Sequence, residues 1–507
     1  MTHKKIVKTL FSVTGLIVLG KILGFIKQMF VAAKFGTTVE TDVFYLAEGL
    51  IANTQYLLVQ VLLTSFTAVY IHTREKNEAE AKSFAIDTIR VFTIIAAILA
   101  AVLAALSGPI ARLIAPSYSA ELSGQVASYI RVFSPLLILF VWIAIFHALL
   151  NSNEHFIPGE FTSVNQSVIT VLLVLLVSSV FGVKTLALAL VAYTVFNALF
   201  LGVLARKYVG HGRGKPFQNE NVRSLIRMAG PLLLGYSVIY INQQVDKILV
   251  SGLEAGTVTA MGYAAVLSNL VSTFIITFCS ILFTYVTTAI ADGEHKRAAE
   301  LSNHTALILM IVFLPISVLA IVAAEDIVSI VFGRGAFDSK SVKAAAAALC
   351  GYSFTFVPLA VKEVYSRILY GYKDSKSPMI SSTIGIAVNI VLSIALCPQF
   401  GVFGVTLASS ISVAVCAVLN VAAAKKRSSV IEIRLLLPKL PMLAIGAFIC
   451  WFTAKWCMNQ FDSISALPRF VLTSLCGCCV YFVVTGPMIY KIYFKEKGLS
   501  IFGISKK

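Results

Sequence analysis

Two lysines stand inside the first long apolar run of this chain. The run, LFSVTGLIVLGKILGFIKQMFVAA, extends from Leu10 to Ala33, with Lys21 near its centre and Lys27 one to two turns further on. A cation at mid-bilayer depth costs roughly 2.5–3.5 kcal/mol on insertion scales, so it normally faces water or a partner rather than lipid. Lys21 lies roughly 16 Å of helix from either end, beyond the reach of a snorkelling side chain. Lys27 is nearer the end, where snorkelling and a cavity position are both open. The chemistry such lysines offer is the binding of an anion.

Three further groups of polar residues interrupt apolar runs. Lys34 to Asp42 forms a short turn into the second run, where Asp42 either caps the following helix or presents an inward carboxylate. Asn242-Gln243-Gln244-Val245-Asp246-Lys247 lies in the seventh run. There, Asp246 and Lys247 suit a salt bridge at the rim, while Asn242, Gln243 and Asp246 fall at near-helical spacing and suit a cavity wall or a cation site. In the tenth run Glu363 and Arg367 are four residues apart and neutralise each other, which leaves Lys362 on its own. Cations from both halves of the chain, Lys21 and Lys27 with Lys362, suit a diphosphate. Structural pairing with other acids is the competing reading.

The elements that must position these residues are membrane helices. The hydrophobic share of the 507 residues is 58% and the charged share 13%, about half the charge of a soluble protein. Mean hydropathy is +0.87. Fourteen apolar segments can be marked, from 9–33 to 467–490, each near the roughly 20 residues a span requires. The runs are continuously apolar rather than alternating, which favours helices over barrel strands. Basic residues cluster at His3-Lys4-Lys5, from Arg206 to Arg223, at Lys425-Lys426-Arg427 and from Lys491 to Lys507. With these in the cytoplasm an even number of spans leaves both termini there. The net charge of +17 then belongs to this asymmetry and to anionic lipid headgroups, not to nucleic acid.

Several function classes find no support. The first run is too long for the core of a cleaved signal peptide and lacks a small-residue cleavage site. The nine cysteines are scattered, and Cys476, Cys478 and Cys479 have no acidic or histidine partners at ligand spacing, so no metal site is expected. There is no phosphate-binding glycine loop, no paired carboxylate outside the apolar runs, and no connecting loop long enough for a soluble catalytic domain. A transporter rather than an enzyme is expected, with no cofactor.

The chain also repeats itself at an offset near 220 residues. Gly182-Val183-Lys184-Thr185-Leu186-Ala187-Leu188-Ala189 matches Gly401-Val402-Phe403-Gly404-Val405-Thr406-Leu407-Ala408. Ala205-Arg206-Lys207 meets Ala424-Lys425-Lys426, Pro158 meets Pro378, and Gly36 meets Gly256. The expected fold is therefore an all-α polytopic membrane protein with two pseudo-symmetric six-helix bundles and two extra C-terminal helices. The divisions fall at 1–215, 216–430 and 431–507, the last including a cytoplasmic tail. Six spans in each half give the halves one orientation, as in parallel-repeat transporters.

Lys21-Ile22-Leu23-Gly24-Phe25-Ile26-Lys27, followed by Phe35-Gly36 and Thr41-Asp42-Val43-Phe44, resembles a motif series of the MviN/MurJ family of lipid II flippases. That family lies within the multidrug/oligosaccharidyl-lipid/polysaccharide exporter superfamily. Val245 to Leu253 with Gly256-Thr257-Val258, Phe332-Gly333-Arg334-Gly335-Ala336-Phe337, and Tyr372-Lys373-Asp374-Ser375-Lys376-Ser377-Pro378 resemble further family segments. The resemblance covers roughly residues 8–430. It implies a cavity that opens alternately to either side and an undecaprenyl-linked sugar whose diphosphate is held by cations. By position, Lys21, Lys27 and Asp42 match the family's functional charged positions, with lysine where arginine is more frequent at the first two, and Lys362 lies near the family's span-ten lysine, one residue out of register.

Two departures stand out. After Tyr263-Ala264-Ala265 the family has an arginine where this chain has Val266, and its polar stretch in the second span is replaced by Gln55 to Leu58 and Thr67 to Tyr70. The implied activity is flipping of lipid II across the bacterial cytoplasmic membrane, with another lipid-linked oligosaccharide or, less closely, a drug or cation as the alternative cargo. Membrane lipids, coupling to the membrane potential or to a monovalent cation, and a monomeric state complete the expectation.

Overall fold

The computed structural model of the chain describes residues 3–211, 216–427 and 437–490, and every regular element among them is helical. The tail expected at 491–507 and the divisions drawn at 215 and 430 lie outside these residues. The first repeat contributes α1 (His3–Phe35), α2 (Val39–Lys76), α3 (Glu78–Ala105), a short α4 (Ser107–Ile114), α5 (Ala120–Phe133), α6 (Leu136–Ser152), α7 (Ile157–Phe181) and α8 (Lys184–Ala205). The second runs in the same order through α9 (Glu220–Ser251), α10 (Thr257–Ala291), α11 (His295–Val322), a short α12 (Ala324–Phe332), α13 (Ser339–Ser353), α14 (Phe356–Gly371) and α15 (Lys376–Arg427). Two more helices follow, α16 (Leu440–Gln460) and α17 (Ala466–Tyr490).

The long α15 answers to both α7 and α8, because it reverses at Gly401. There φ is 59° and ψ −140°, a backbone conformation that suits glycine. Gly182, 219 residues earlier, has nearly the same angles, φ 53° and ψ −139°. The two arms of α15 then run back along each other, with Asn389 Nδ2 donating to Ser409 Oγ at 3.0 Å and Cys416 Sγ to Ser381 O at 3.2 Å.

The same offset recurs in detail that sequence identity does not reveal. Glu154 and Lys373, both non-glycine residues with positive φ (64° and 58°), precede α7 and α15. Ser119 caps α5 by accepting from Leu122 N–H, and Asp338 caps α13 by accepting from Ser341 N–H. Asn197 Nδ2 donates to Thr162 O at 3.2 Å, where the counterparts in the second repeat are Cys416 and Ser381. Different side chains thus make the same bond in the two repeats.

Among the described residues, eleven helices are long and apolar enough to cross a membrane. The pair α5 and α6, bent by 43° across a short break, makes a twelfth. That set takes α15 as one helix and leaves out α9, whose 32 residues are about 48 Å long. Splitting α15 at its reversal and adding α9 makes the helices compatible with fourteen spans. Exposed Leu176, Val180, Leu199, Val391 and Val483 are the outward apolar side chains that lipid requires.

The chain forms two compact units, Met1–Thr259 with Arg334–Phe337, and Ala260–Gly333 with Asp338–Lys507. In the first, α9 packs on α2 and α4. Its core is built round stacked Phe66, Tyr70 and Phe84, with centroids 5.5 and 5.2 Å from Phe66, and round Phe44 against Phe133 and Tyr129. The second unit buries Phe356, Tyr365 and Ile368 of α14 against α10 and α11. There α16 and α17 pack on each other and on α11. Arg469 of α17 reaches α12 with Nε 2.8 Å from Asp326 Oδ2.

Candidate substrate-binding site

On α1 the two lysines of the first span part company. Six residues turn a helix by 600°, so Lys21 and Lys27 project about 120° apart. Lys21 is exposed on the helix surface and Lys27 is half-buried. Lys27 lines a cavity of about 70 Å³ whose wall includes Gln28, Tyr45, Glu48, Gln166, Thr170 and Tyr193, drawn from α1, α2, α7 and α8. Glu48 is absent from the residues that sequence spacing singles out. An acid inside the second apolar run is the signal that could find it, since it carries the same burial penalty as the lysines. Lys247 of α9 belongs to this neighbourhood too. Its Nζ donates to Tyr45 O at 3.3 Å, and both Lys27 and Lys247 lie within electrostatic reach of Glu48.

Asp42 does not cap its own helix. That position belongs to Thr38, which accepts from Thr41 N–H while Thr41 Oγ1 accepts from Thr38 N–H, a reciprocal capping box. The buried Asp42 carboxylate instead caps α10, where the first-turn N–H groups have no partner within the helix. It accepts from Gly256 N–H at 2.7 Å, Thr259 N–H at 2.8 Å and Thr259 Oγ1 at 2.6 Å. Close by, Ala336 N–H donates to Ala33 O at 2.8 Å. Gly36, Gly256 and Gly335 all have positive φ. A Cβ would overlap Ala336 O at Gly36, Thr37 O at Gly256 and Ala33 O at Gly335. Four segments that carry the family resemblance, Phe35-Gly36, Thr41-Asp42, Gly256-Thr257 and Arg334 to Phe337, thus converge in one clasp of backbone and carboxylate. Spacing along the chain gives no hint of it, because the partners are more than 200 residues apart.

In the second unit Lys362 is not alone. Its Nζ lies 3.4 Å from Glu363 Oε1, while Arg367 Nη2 lies 3.3 Å from Glu363 Oε2. Glu363 therefore joins two cations, and the trio keeps one net positive charge. Asn420 Nδ2 reaches Ser366 Oγ at 2.8 Å on the next turn of α14, and Arg367 lies over the Phe283 ring at 6.0 Å. Of the group on α9, Asp246 is buried, Asn242 is half-buried and Gln243 is exposed. Asn242 and Asp246, four apart, share a face. Asn242 Oδ1 and both amide atoms of Gln244 are buried without a hydrogen-bond partner among the described residues. Val266 is half-buried on α10.

The sequence profile of the family described as lipid II flippase MurJ matches residues 31–472. A probable lipid II flippase MurJ of Rhizobium tropici is 25% identical over 422 residues, covering 80% of this chain and 78% of the relative. The fold matches a solved lipid II flippase MurJ in an inward closed conformation with a TM-score of 0.78 at 19% identity, over 95% of this chain and 99% of the other. An inward-facing multidrug resistance MATE family transporter of the MOP superfamily matches with a TM-score of 0.68 at 12% identity, over 83% and 98%. The profile spans most of the chain and takes in the clasp, the Glu363 trio and the part of the cavity contributed by α2, α7 and α8, while Lys21, Lys27 and Gln28 lie just before it. This multi-span membrane protein belongs to the lipid II flippase MurJ family.

Proposed function

We propose that this chain flips lipid II, an undecaprenyl-diphosphate-linked sugar precursor of peptidoglycan, across the bacterial cytoplasmic membrane by alternating access. The observation that carries this reading is the family match over residues 31–472. Cations set among apolar helices support it, since an anionic headgroup needs charge along its path and lipid supplies none. In this reading Lys21, Lys27 and Lys362 are substrate-binding residues. Asp42 contributes by holding the first turn of α10. Asn242, Gln243 and Asp246 line a cavity or take a monovalent cation, and transport is coupled to such a cation or to the membrane potential. Residues 1–215 and 216–430 are the two six-helix lobes, 431–507 is an appendix, both termini are cytoplasmic, and the protein works as a monomer. Transport, not bond-breaking, is the activity.

A second cargo is favoured by one observation. Val266 stands where the family resemblance places an arginine, and the second span has Gln55 to Leu58 and Thr67 to Tyr70 in place of a more polar stretch. A different lipid-linked oligosaccharide fits a headgroup site with altered cations. Expression in a bacterium depleted of its own lipid II flippase separates the two. Restored growth and lipid II exposure are expected. Good membrane expression without either would reject lipid II as cargo.

A further inference from the structure

Lys247 is seated by geometry rather than left to roam. Its Nζ has three protons to give and places one on Tyr45 O at 3.3 Å. Space for it comes from Gly49, where a Cβ would overlap Nζ. Tyr45 and Glu48 line the cavity beside Lys27, so the ammonium of α9, bonded to the Tyr45 carbonyl, lies against the wall of the cavity that Lys27 lines. Glu48, on α2, feels both charges. The polar groups around it, Gln28, Gln166 and Thr170, are neutral, and Tyr56 and Tyr193 also lie within its electrostatic reach. Two cations and one acid leave a single net positive charge in a low-dielectric setting. Such a cluster has a stable resting state and still attracts an anion with more charge than one carboxylate.

We propose that Lys27 and Lys247 together form a seat for the diphosphate of the cargo, and that Glu48 is the internal counter-charge the diphosphate displaces. This rests on the proposed function and adds to it Lys247, a cation of the second repeat, as a further residue of the binding site. Glu48 sets the strength of the seat. With the acid present, an arriving anion must compete for the lysines, and a departing one is helped off them.

The test is anion binding by the full-length protein in lipid nanodiscs, titrated with inorganic pyrophosphate and, separately, with undecaprenyl diphosphate. Lys247→Met and Lys27→Met are each expected to weaken binding about tenfold or more, the effect of a lost charge-assisted contact. Lys247→Arg should retain most of it, and Glu48→Gln should tighten binding while slowing transport. A preference for undecaprenyl diphosphate places the lipid-linked form in the seat, and equal affinities assign it to the diphosphate alone; either supports the proposal. Wild-type affinity in a Lys247→Met protein whose Lys27→Met counterpart has lost binding would overturn it, while leaving the role of Lys27 intact. Weaker binding by Glu48→Gln, in protein that elutes and melts like the wild type, would overturn the competitor role. Pyrophosphate affinity does not depend on which glycan is carried, so failure of the lipid II reading shows separately in the depleted strain.

Discussion

Asp42 is the residue where chemistry and architecture are hardest to tell apart. A carboxylate near a membrane cavity invites a role in binding, yet both its oxygens already accept from the first turn of α10. Burial without partners would be costly, and these donors offset part of that cost. Asp42→Ala leaves two backbone N–H groups unmet and should lower stability by about 2–3 kcal/mol. Thr38→Ala, which removes the local cap of α2, should lose only about 1 kcal/mol. Thermal unfolding of the purified variants checks the order, and equal small losses would refute the tertiary cap. Lys21 and Lys27 teach the complementary lesson. Both are energetic anomalies in the same run, but helix rotation points them about 120° apart, and Lys27 lines the small cavity among α1, α2, α7 and α8.

At the scale of elements, the reversals at Gly182 and Gly401 carry the duplication. Each lets one long apolar segment double back as two helices, and each does so at almost the same φ and ψ. An alanine at either site must hold a conformation that side chains avoid, at a cost of roughly 1–3 kcal/mol. A methyl added at Gly182 would meet nothing within 4 Å, so for Gly182→Ala the loss is pure backbone strain. Lys373→Gly should act in the opposite sense. Its φ of 58° is tolerated at a cost that glycine does not carry, roughly 1 kcal/mol, and the variant should melt slightly higher. Denaturation midpoints of the three proteins decide the matter, and an unchanged Gly182→Ala midpoint would contradict the strain assignment.

At the scale of the whole molecule, the polar ends of the spans govern the response to acid. Asp338 is held below the usual carboxylate value of 3.8 by the backbone N–H and then the hydroxyl of Ser341. Asp374 is held down in the same order by the N–H and hydroxyl of Ser377. A folded value below the unfolded one means that acid favours the unfolded chain. Their contribution is complete above about pH 4 and drains away as pH falls through the depressed folded values. Asp374→Asn should therefore melt lower than the wild type at neutral pH and converge with it towards pH 2. Parallel melting curves across that range would show that the carboxylate charge at the head of α15 is irrelevant to stability.

Membrane class, helical spans and the duplication were legible in the sequence, because they depend on local composition and on residues recurring at a constant offset. A 20-residue apolar run has few alternatives in lipid, where backbone groups must bond to one another. So were the energetic anomalies Lys21, Lys27 and Lys362, since burial cost belongs to the residue type. Their partners were decided only by the tertiary structure. Lys247 reaching Tyr45, Glu48 lying in range of two lysines, Lys362 sharing Glu363 with Arg367, and Asp42 capping a helix that begins more than 200 residues later all depend on which helices pack together. Helix packing brings distant residues within the few ångströms over which charges and hydrogen bonds act, and spacing along the chain does not encode those distances.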